Sequence, residues 1–362
     1  FIQLLKQRYQ SVISQLESHH PQALEYQKRV EELLYAEAFM RKGRLIDEQP
    51  GHPLQIAVIG PTQAGKSSVT NLLLNDTQAG VSPLAGYTVH AQGFCHRLTT
   101  EACEGVQRYF GRFECLEPSA LSRTRYDCYA LRSMPNRSDL LPDCVLWDTP
   151  DFDSIDAIDY REGLIRTLAL ADIIVLVLSK EKYADQSVWD VMKILADFHQ
   201  PTVICLNKLN EGSEALIVES LTQKWQQCRH DGVPNVVPLA YQKPPAMPVW
   251  PVSAQEAIPM CLDRVQRKKH MAHLQTLLKQ HWADWLAPVL AEHHAQRQWQ
   301  GLVDHCLKQA VSVYRRDYLD HPHHYDTFQA ALVNLLNLLE IPGIAKVLGK
   351  TRRVMTWPVR RL

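Results

Sequence analysis

Apolar positions in the first 47 residues recur at helical spacing: Ile2, Leu5, Tyr9, Ile13 and Leu16, then Leu24, Val30, Leu33, Leu34 and Ala38. Polar residues fill the positions between them, which predicts one or two amphipathic helices. Glu48-Gln49-Pro50-Gly51-His52-Pro53 closes this segment, because Pro and Gly at that density end a helix and open a new domain. From Leu54 the pattern changes to short, mostly apolar runs at 54–59, 144–147, 173–178, 202–206 and 249–252, separated by helical spacing. Runs this short and this rich in Val and Ile suit the central strands of a parallel sheet with helices on both faces. Beyond about Ile258 the spacing is helical again, through Leu262, Val265, Leu274, Leu277, Leu278, Leu286 and Leu290 and on to Leu339. The expected fold class is therefore α/β, a doubly wound, mostly parallel sheet flanked by N- and C-terminal helical segments. Its expected domains are 1–50, 51–257 and 258–362.

The run 54–59 leads straight into Gly60-Pro61-Thr62-Gln63-Ala64-Gly65-Lys66-Ser67, and Ser68-Val69-Thr70-Asn71-Leu72-Leu73-Leu74 then starts a helix. This satisfies G-x-x-x-x-G-K-[ST] in the context it needs, a strand before and a helix after. The residue types follow from the chemistry. Glycines allow the tight turn that aims backbone N–H groups at phosphate oxygens, and the helix N-terminus adds partial positive charge. The candidate phosphate cradle is Gly60, Gln63, Ala64, Gly65, Lys66, Ser67 and Ser68. Within it Lys66 is expected to reach the β- and γ-phosphates, and the Ser67 hydroxyl to ligate Mg²⁺. An accidental match somewhere in 362 residues has odds on the order of one in a hundred.

Later runs end in residues of the same chemistry. Residues 144–147 lead into Asp148-Thr149-Pro150-Asp151, a carboxylate at a strand's C-terminal end. Residues 202–206 lead into Asn207-Lys208-Leu209-Asn210, residues 249–252 into Ser253-Ala254, and Thr88 stands in Gly86-Tyr87-Thr88. In this order the set resembles the motifs of P-loop GTPases. The stretch from Gly60 to Gly86 is most similar to the superclass holding the Era/TrmE-type and dynamin-like proteins. The resemblance covers about 54–257, and helices on both sides favour the dynamin-like branch.

The resemblance implies GTP and GDP as ligands with Mg²⁺. Thr88 would be the switch I threonine closing on the γ-phosphate and the metal, and Asp148 the switch II carboxylate, so the implied metal set is Ser67, Thr88 and Asp148. Asn207, Lys208 and Asn210 would frame the guanine, with Ser253 and Ala254 at its O6 edge. Three positions depart from the family pattern. Asp151 stands where D-x-x-G has glycine, bringing negative charge toward the γ-phosphate. Asn210 replaces the aspartate that accepts from two guanine donors, which relaxes base specificity. Phe152 stands where Ras-like proteins carry the glutamine that orients water. In the resembled groups a monovalent cation takes over that role, and Gln63 is the residue placed to hold K⁺. Lys66, Thr88 and Gln63 are thus the catalytic candidates in a GTPase that is slow alone. A nucleotide-binding scaffold with little hydrolysis is the alternative.

Charge and cysteine usage add limits. The 39 Lys+Arg balance 39 Asp+Glu, and no RNA-binding module is recognisable, so no nucleic-acid partner is expected. No signal-like start and no apolar run of the ~18 residues that span a bilayer are present, and nine irregularly spaced Cys do not form a disulfide framework. A cytoplasmic protein is the expectation. The Cys and His residues lack the paired spacing of a closed zinc site. Between Lys66 and Asp148 the extra length is assigned to an insertion near 97–142. Its arginines at 97, 108, 112, 123, 125, 132 and 137 are either solvated surface charge or a source of a catalytic arginine. Residues 341–362 combine six basic residues with Ile344, Val347, Leu348, Val354, Met355 and Trp357 and contain no acidic residue. This segment is expected either to lie on an anionic membrane at the inner face or to pack within a helical bundle. Self-association through the GTPase domain or the helices is the other expected partnership. Starting at Phe1 and stopping inside a basic stretch, the sequence reads as a fragment of a longer chain.

Overall fold

The computed structural model describes residues 1–17, 20–80, 88–151, 158–209, 214–229, 232–242 and 248–338. The expectations for Phe152, Asn210 and the segment 341–362 lie outside them. The chain divides into two compact units, Phe1–Trp282 and Ala283–Leu362.

The first unit opens with two helices, α1 (Ile2–Ile13) and α2 (Pro21–Glu48). His20 starts α2: its side chain accepts from the Gln22 N–H, and Pro21 sits at the first helical position, where its missing N–H costs nothing. The two helices pack on each other, with the Tyr9 ring stacked on that of Tyr26 and Leu5 and Leu33 buried, and a Lys6–Glu37 ion pair of 2.6 Å bridges them.

The sheet is built from β1 (Leu54–Ile59), β2 (Gln92–His96), β3 (Glu114–Cys115), β4 (Cys128–Ser133), β5 (Cys144–Asp148), β6 (Ile173–Ser179), β7 (Thr202–Leu209) and β8 (Asn235–Ala240). Their order is β3-β4-β2-β5-β1-β6-β7-β8. The five strands from β5 to β8 run parallel, while β2 pairs antiparallel with β5 and carries β4 and β3 outward, parallel to itself. The helices are α3 (Lys66–Leu74) after β1, α4 (Glu104–Phe110) after β2, α5 (Ile158–Leu170) after β5, α6 (Gln186–Ala196) after β6, α7 (Glu214–Cys228) after β7 and α8 (Ala257–Leu262) after β8. The central strands are apolar on both faces because both are covered, and Ile56, Val58, Leu146, Val175, Val177 and Cys205 are fully buried.

One strand expectation is corrected. Residues 249–252 are not a strand; Val252–Ala254 is a 3-10 turn, and the last strand is Asn235–Ala240. Pro251 has no N–H for a ladder, whereas Pro238 lies in the edge strand β8, where a missing donor is tolerated. After β6, Asp185 is the N-cap of α6, accepting from the Ser187 N–H.

At the N-terminal ends of β1 and β6, buried Asp172 ties helices to sheet. Its carboxylate accepts from the Gln55 N–H at 3.0 Å and pairs with Lys42 of α2 at 3.0 Å and with Arg267 at 2.5 Å. Lys42 also donates to the Ala171 carbonyl, and Arg267 to the carbonyls of His52 and Pro53. In this way the segment after the sheet, the helix before it and the strand that carries the loop 60–67 share one carboxylate.

The helix α9 (His270–Tyr314) is 45 residues long. The second unit contains most of α9, from Ala283 on, a π-helical turn at Arg315–Leu319 and α10 (Pro322–Leu338). Among the described residues no helix is long and apolar enough to cross a membrane.

Candidate functional site

Strands β1 and β5 lie side by side with Val58 opposite Asp148, so the loop after β1 and the carboxylate ending β5 emerge together at the C-terminal edge of the sheet. Two glycines are required there. A Cβ on Gly60 would lie 2.3 Å from the Val177 carbonyl of β6, and Gly65 has φ of +94° with Asn207 Nδ2 2.3 Å from where its Cβ would be.

Lys66 opens α3 and is 5% exposed. Its ammonium donates to the Gly60 and Pro61 carbonyls at 3.1 and 3.2 Å and forms an ion pair with Asp151. Next to it the Ser67 hydroxyl donates to Asp148 Oδ2 at 2.7 Å and lies 3.4 Å from the Thr88 hydroxyl. Thr70, one turn along the same helix face, reaches Asp148 Oδ1 at 3.5 Å. The structure thus brings Lys66, Ser67, Thr88 and Asp148 to one point.

Burial pushes the Asp148 carboxyl up to about 6, and the charge of Asp151 adds to this, against the Ser67 hydroxyl, Lys66 and Thr70. A fully buried carboxylate under that strain, beside two hydroxyls, is an all-oxygen set of the kind a hard divalent cation takes. Ser67, Thr88 and Asp148 therefore fit Mg²⁺. The sign of the pH dependence follows from a folded value above the ordinary 3.8. Stability from this group is fully present below pH ~4 and is lost as pH rises through about 6, amounting to ~3 kcal/mol. Asp148→Asn is accordingly expected to raise the melting temperature of the nucleotide-free protein at pH 7.5. It should also flatten the slope between pH 4 and 6 and remove any Mg²⁺ dependence of nucleotide binding. Melts across pH would test this; an unchanged slope would mean that the carboxylate is not the strained group.

The base-side residues are also held against the loop. Asn207 donates to the Ala64 carbonyl at 3.0 Å and accepts from the Lys208 N–H, while the Lys208 ammonium donates to the Gln63 carbonyl at 2.7 Å. An irregularity in β7 between Leu206 and Leu209, with Lys208 at φ 58°, turns that side chain toward the loop. Gln63 itself has φ 61° and an exposed side chain. Ser68 is half-buried in the first turn of α3. Ser253 and Ala254 sit on the 3-10 turn, whose Ala254 carbonyl accepts from the Trp250 indole.

Sequence reasoning missed several supports of this site. Asn71 brackets Ala79 through its N–H and carbonyl at 2.7 and 2.8 Å, fixing the chain that leaves α3. The Tyr160 hydroxyl donates to the Asp151 carbonyl at 2.6 Å, and Tyr126 of the insertion lies edge-on to the Tyr160 ring. Thr70 and Asn71 stand as polar residues between Val69 and Leu72 of α3, while Tyr160 carried no signal. Most of the insertion arginines are engaged locally, among them Arg112 with Glu162, Arg125 with Glu114 and Asp127, and Arg132 with Gln78 and Gln92. Among the described residues no group of three or more His, Cys, Asp and Glu side chains is arranged to hold a metal ion.

The family model of the 50S ribosome-binding GTPase matches residues 55–208. No curated protein matches the chain. Among solved structures, similarity extends to Era in complex with MgGDPNP and nucleotides 1506–1542 of 16S ribosomal RNA, at 16% identity over 51% of this chain and 50% of that one, TM-score 0.33. It extends also to a member of an oligomerised bacterial dynamin pair, at 14% identity over 92% of this chain and 55% of that one, TM-score 0.40. Toc33 from Arabidopsis thaliana in complex with Mg²⁺ and GMPPNP gives 12% identity over 63% and 91%, TM-score 0.36. The chain spans about half the length of the Era and bacterial dynamin chains it matches.

Proposed function

From the premise that residues 55–208, which match a GTPase family model, form a P-loop GTPase domain, we propose that the protein binds GTP and hydrolyses it to GDP and phosphate. In this reading nucleotide state is coupled to self-association or to an anionic membrane surface through the helical segments, on the cytoplasmic side. The observation that carries the reading is the convergence of Lys66, Ser67, Thr88 and Asp148 at the C-terminal edge of β1 and β5. Lys66 and the loop N–H groups bind the phosphates, Ser67, Thr88 and Asp148 would hold Mg²⁺, and Asn207 and Lys208 face the base. When bound, the cation neutralises phosphate charge. Gln63 is the proposed K⁺ ligand. A second reading, a nucleotide-binding scaffold with little turnover, is favoured by the Lys66–Asp151 pair, which ties up the lysine that phosphoryl transfer needs.

Competition between GTP, ATP and XTP for the wild type and Asn210→Asp tests the base assignment. The wild type should discriminate weakly and the variant more sharply, because an aspartate restores an acceptor worth ~1–3 kcal/mol. A stringent wild-type preference that the variant leaves unchanged would place base reading on another residue. Co-sedimentation with anionic liposomes, with and without residues 341–362, tests the membrane arm.

A further inference from the structure

An ammonium group has three protons to donate, and in this structure the Lys66 protons are matched by three acceptors: two loop carbonyls and the Asp151 carboxylate. Both charged side chains are buried, Lys66 at 5% and Asp151 at 9% exposure, so the pair is desolvated and poorly screened. Asp151 is held in place from its backbone side by the Tyr160 hydroxyl, and Tyr160 rests against Tyr126 of the insertion. The carboxylate stands three residues after Asp148, close enough to it to raise that group.

We propose that Asp151 is a tethered stand-in for the terminal phosphate, occupying the Lys66 ammonium in the resting protein and setting its preference for a diphosphate over a triphosphate. This rests on the P-loop reading above. A β-phosphate can replace the two loop carbonyls on Lys66 while Asp151 stays. A triphosphate directs a second phosphate to the same ammonium, so Asp151 must leave, and its carboxylate then repels the γ-phosphate unless the segment moves. Entry of a γ-phosphate is thereby coupled to breaking the Asp151 contact and displacing the chain that Tyr160 holds. The insertion, through Tyr126, is positioned to feel that displacement.

The test measures dissociation constants for GDP and the non-hydrolysable GMPPNP, each with Mg²⁺, and for pyrophosphate and tripolyphosphate, in the wild type, Asp151→Asn and Asp151→Gly. The wild type should favour the two-phosphate member of each pair. Both variants should shift the triphosphate-to-diphosphate ratio toward the triphosphate by roughly ten- to a hundredfold, the lower end of the coupling measured between close charge pairs. Tyr160→Phe should shift it the same way by less. Unchanged ratios in both Asp151 variants overturn the proposal. So does loss of diphosphate binding in variants whose melting temperature is retained, since Asp151 would then support the diphosphate itself. The polyphosphate arm separates the two readings. Polyphosphate ratios that shift while guanine nucleotides fail to bind contradict the guanine assignment and leave the stand-in role standing. Wild-type protein that binds neither contradicts the P-loop reading, and the inference falls with it.

Discussion

Replacing Lys66 with alanine is expected to lower affinity for Mg²⁺-GTP by about a hundredfold or more, because it removes the point charge that the loop brings to the β- and γ-phosphates. The same substitution leaves the Asp151 carboxylate buried without its ammonium. Breaking one side of a buried pair costs about 3–5 kcal/mol, so the variant should also melt earlier. The two effects separate in a double variant. Lys66→Ala with Asp151→Asn removes the stranded charge and should recover most of the stability, while nucleotide binding stays lost. Calorimetric titration beside thermal melts gives both numbers, and affinity unchanged in Lys66→Ala would remove the lysine from the phosphate site.

Asp172→Ala is the second large effect, at the opposite edge of the sheet. Removing this carboxylate strands Lys42, which is buried, and weakens the hold on Arg267, for an expected loss of about 3–5 kcal/mol in urea unfolding. It also takes the acceptor from the Gln55 N–H at the start of β1, the strand that leads into the phosphate-binding loop. Burial opposes ionisation of Asp172, but Lys42, Arg267 and the hydrogen bonds outweigh it and hold the carboxyl below its ordinary 3.8. Its contribution is therefore present above pH ~4 and lost as pH falls further. Wild type should lose stability below that point more steeply than the variant. Equal unfolding midpoints would mean that the carbonyls of Ala171, His52 and Pro53 satisfy the two cations by themselves.

The contrast between the two edges of the sheet explains what the sequence revealed. The strand–loop–helix from Leu54 to Leu74 was legible because its chemistry is local: the glycines, lysine and serine that make the phosphate site are neighbours in sequence. The buried parallel strands at 144, 173 and 202 were legible because burial on both faces leaves nearly continuous apolar runs. Strands β2, β3 and β4 were not, since Gln92-Gly93-Phe94-Cys95-His96 and the two-residue Glu114–Cys115 are too short or too mixed to set a period. The run 249–252 misled because apolar residues between prolines imitate a strand that Pro251 cannot join. Within the site, Asp151 was visible only as an odd residue in a glycine's place. That it neutralises Lys66, 85 residues away in sequence, is a tertiary fact that no local pattern encodes. The Asp172 hub is of the same kind, joining Lys42, Gln55 and Arg267 from three separate stretches.

Phosphate release from Mg²⁺-GTP, followed over a range of protein concentrations in K⁺ and in Na⁺, decides whether this chain is a GTPase that depends on a second copy and a cation. The expected result is slow release whose specific rate climbs with protein concentration, is faster in K⁺, and vanishes in Lys66→Ala. Release that is indifferent to Lys66→Ala, or a fast rate independent of protein concentration and of the cation, would contradict it.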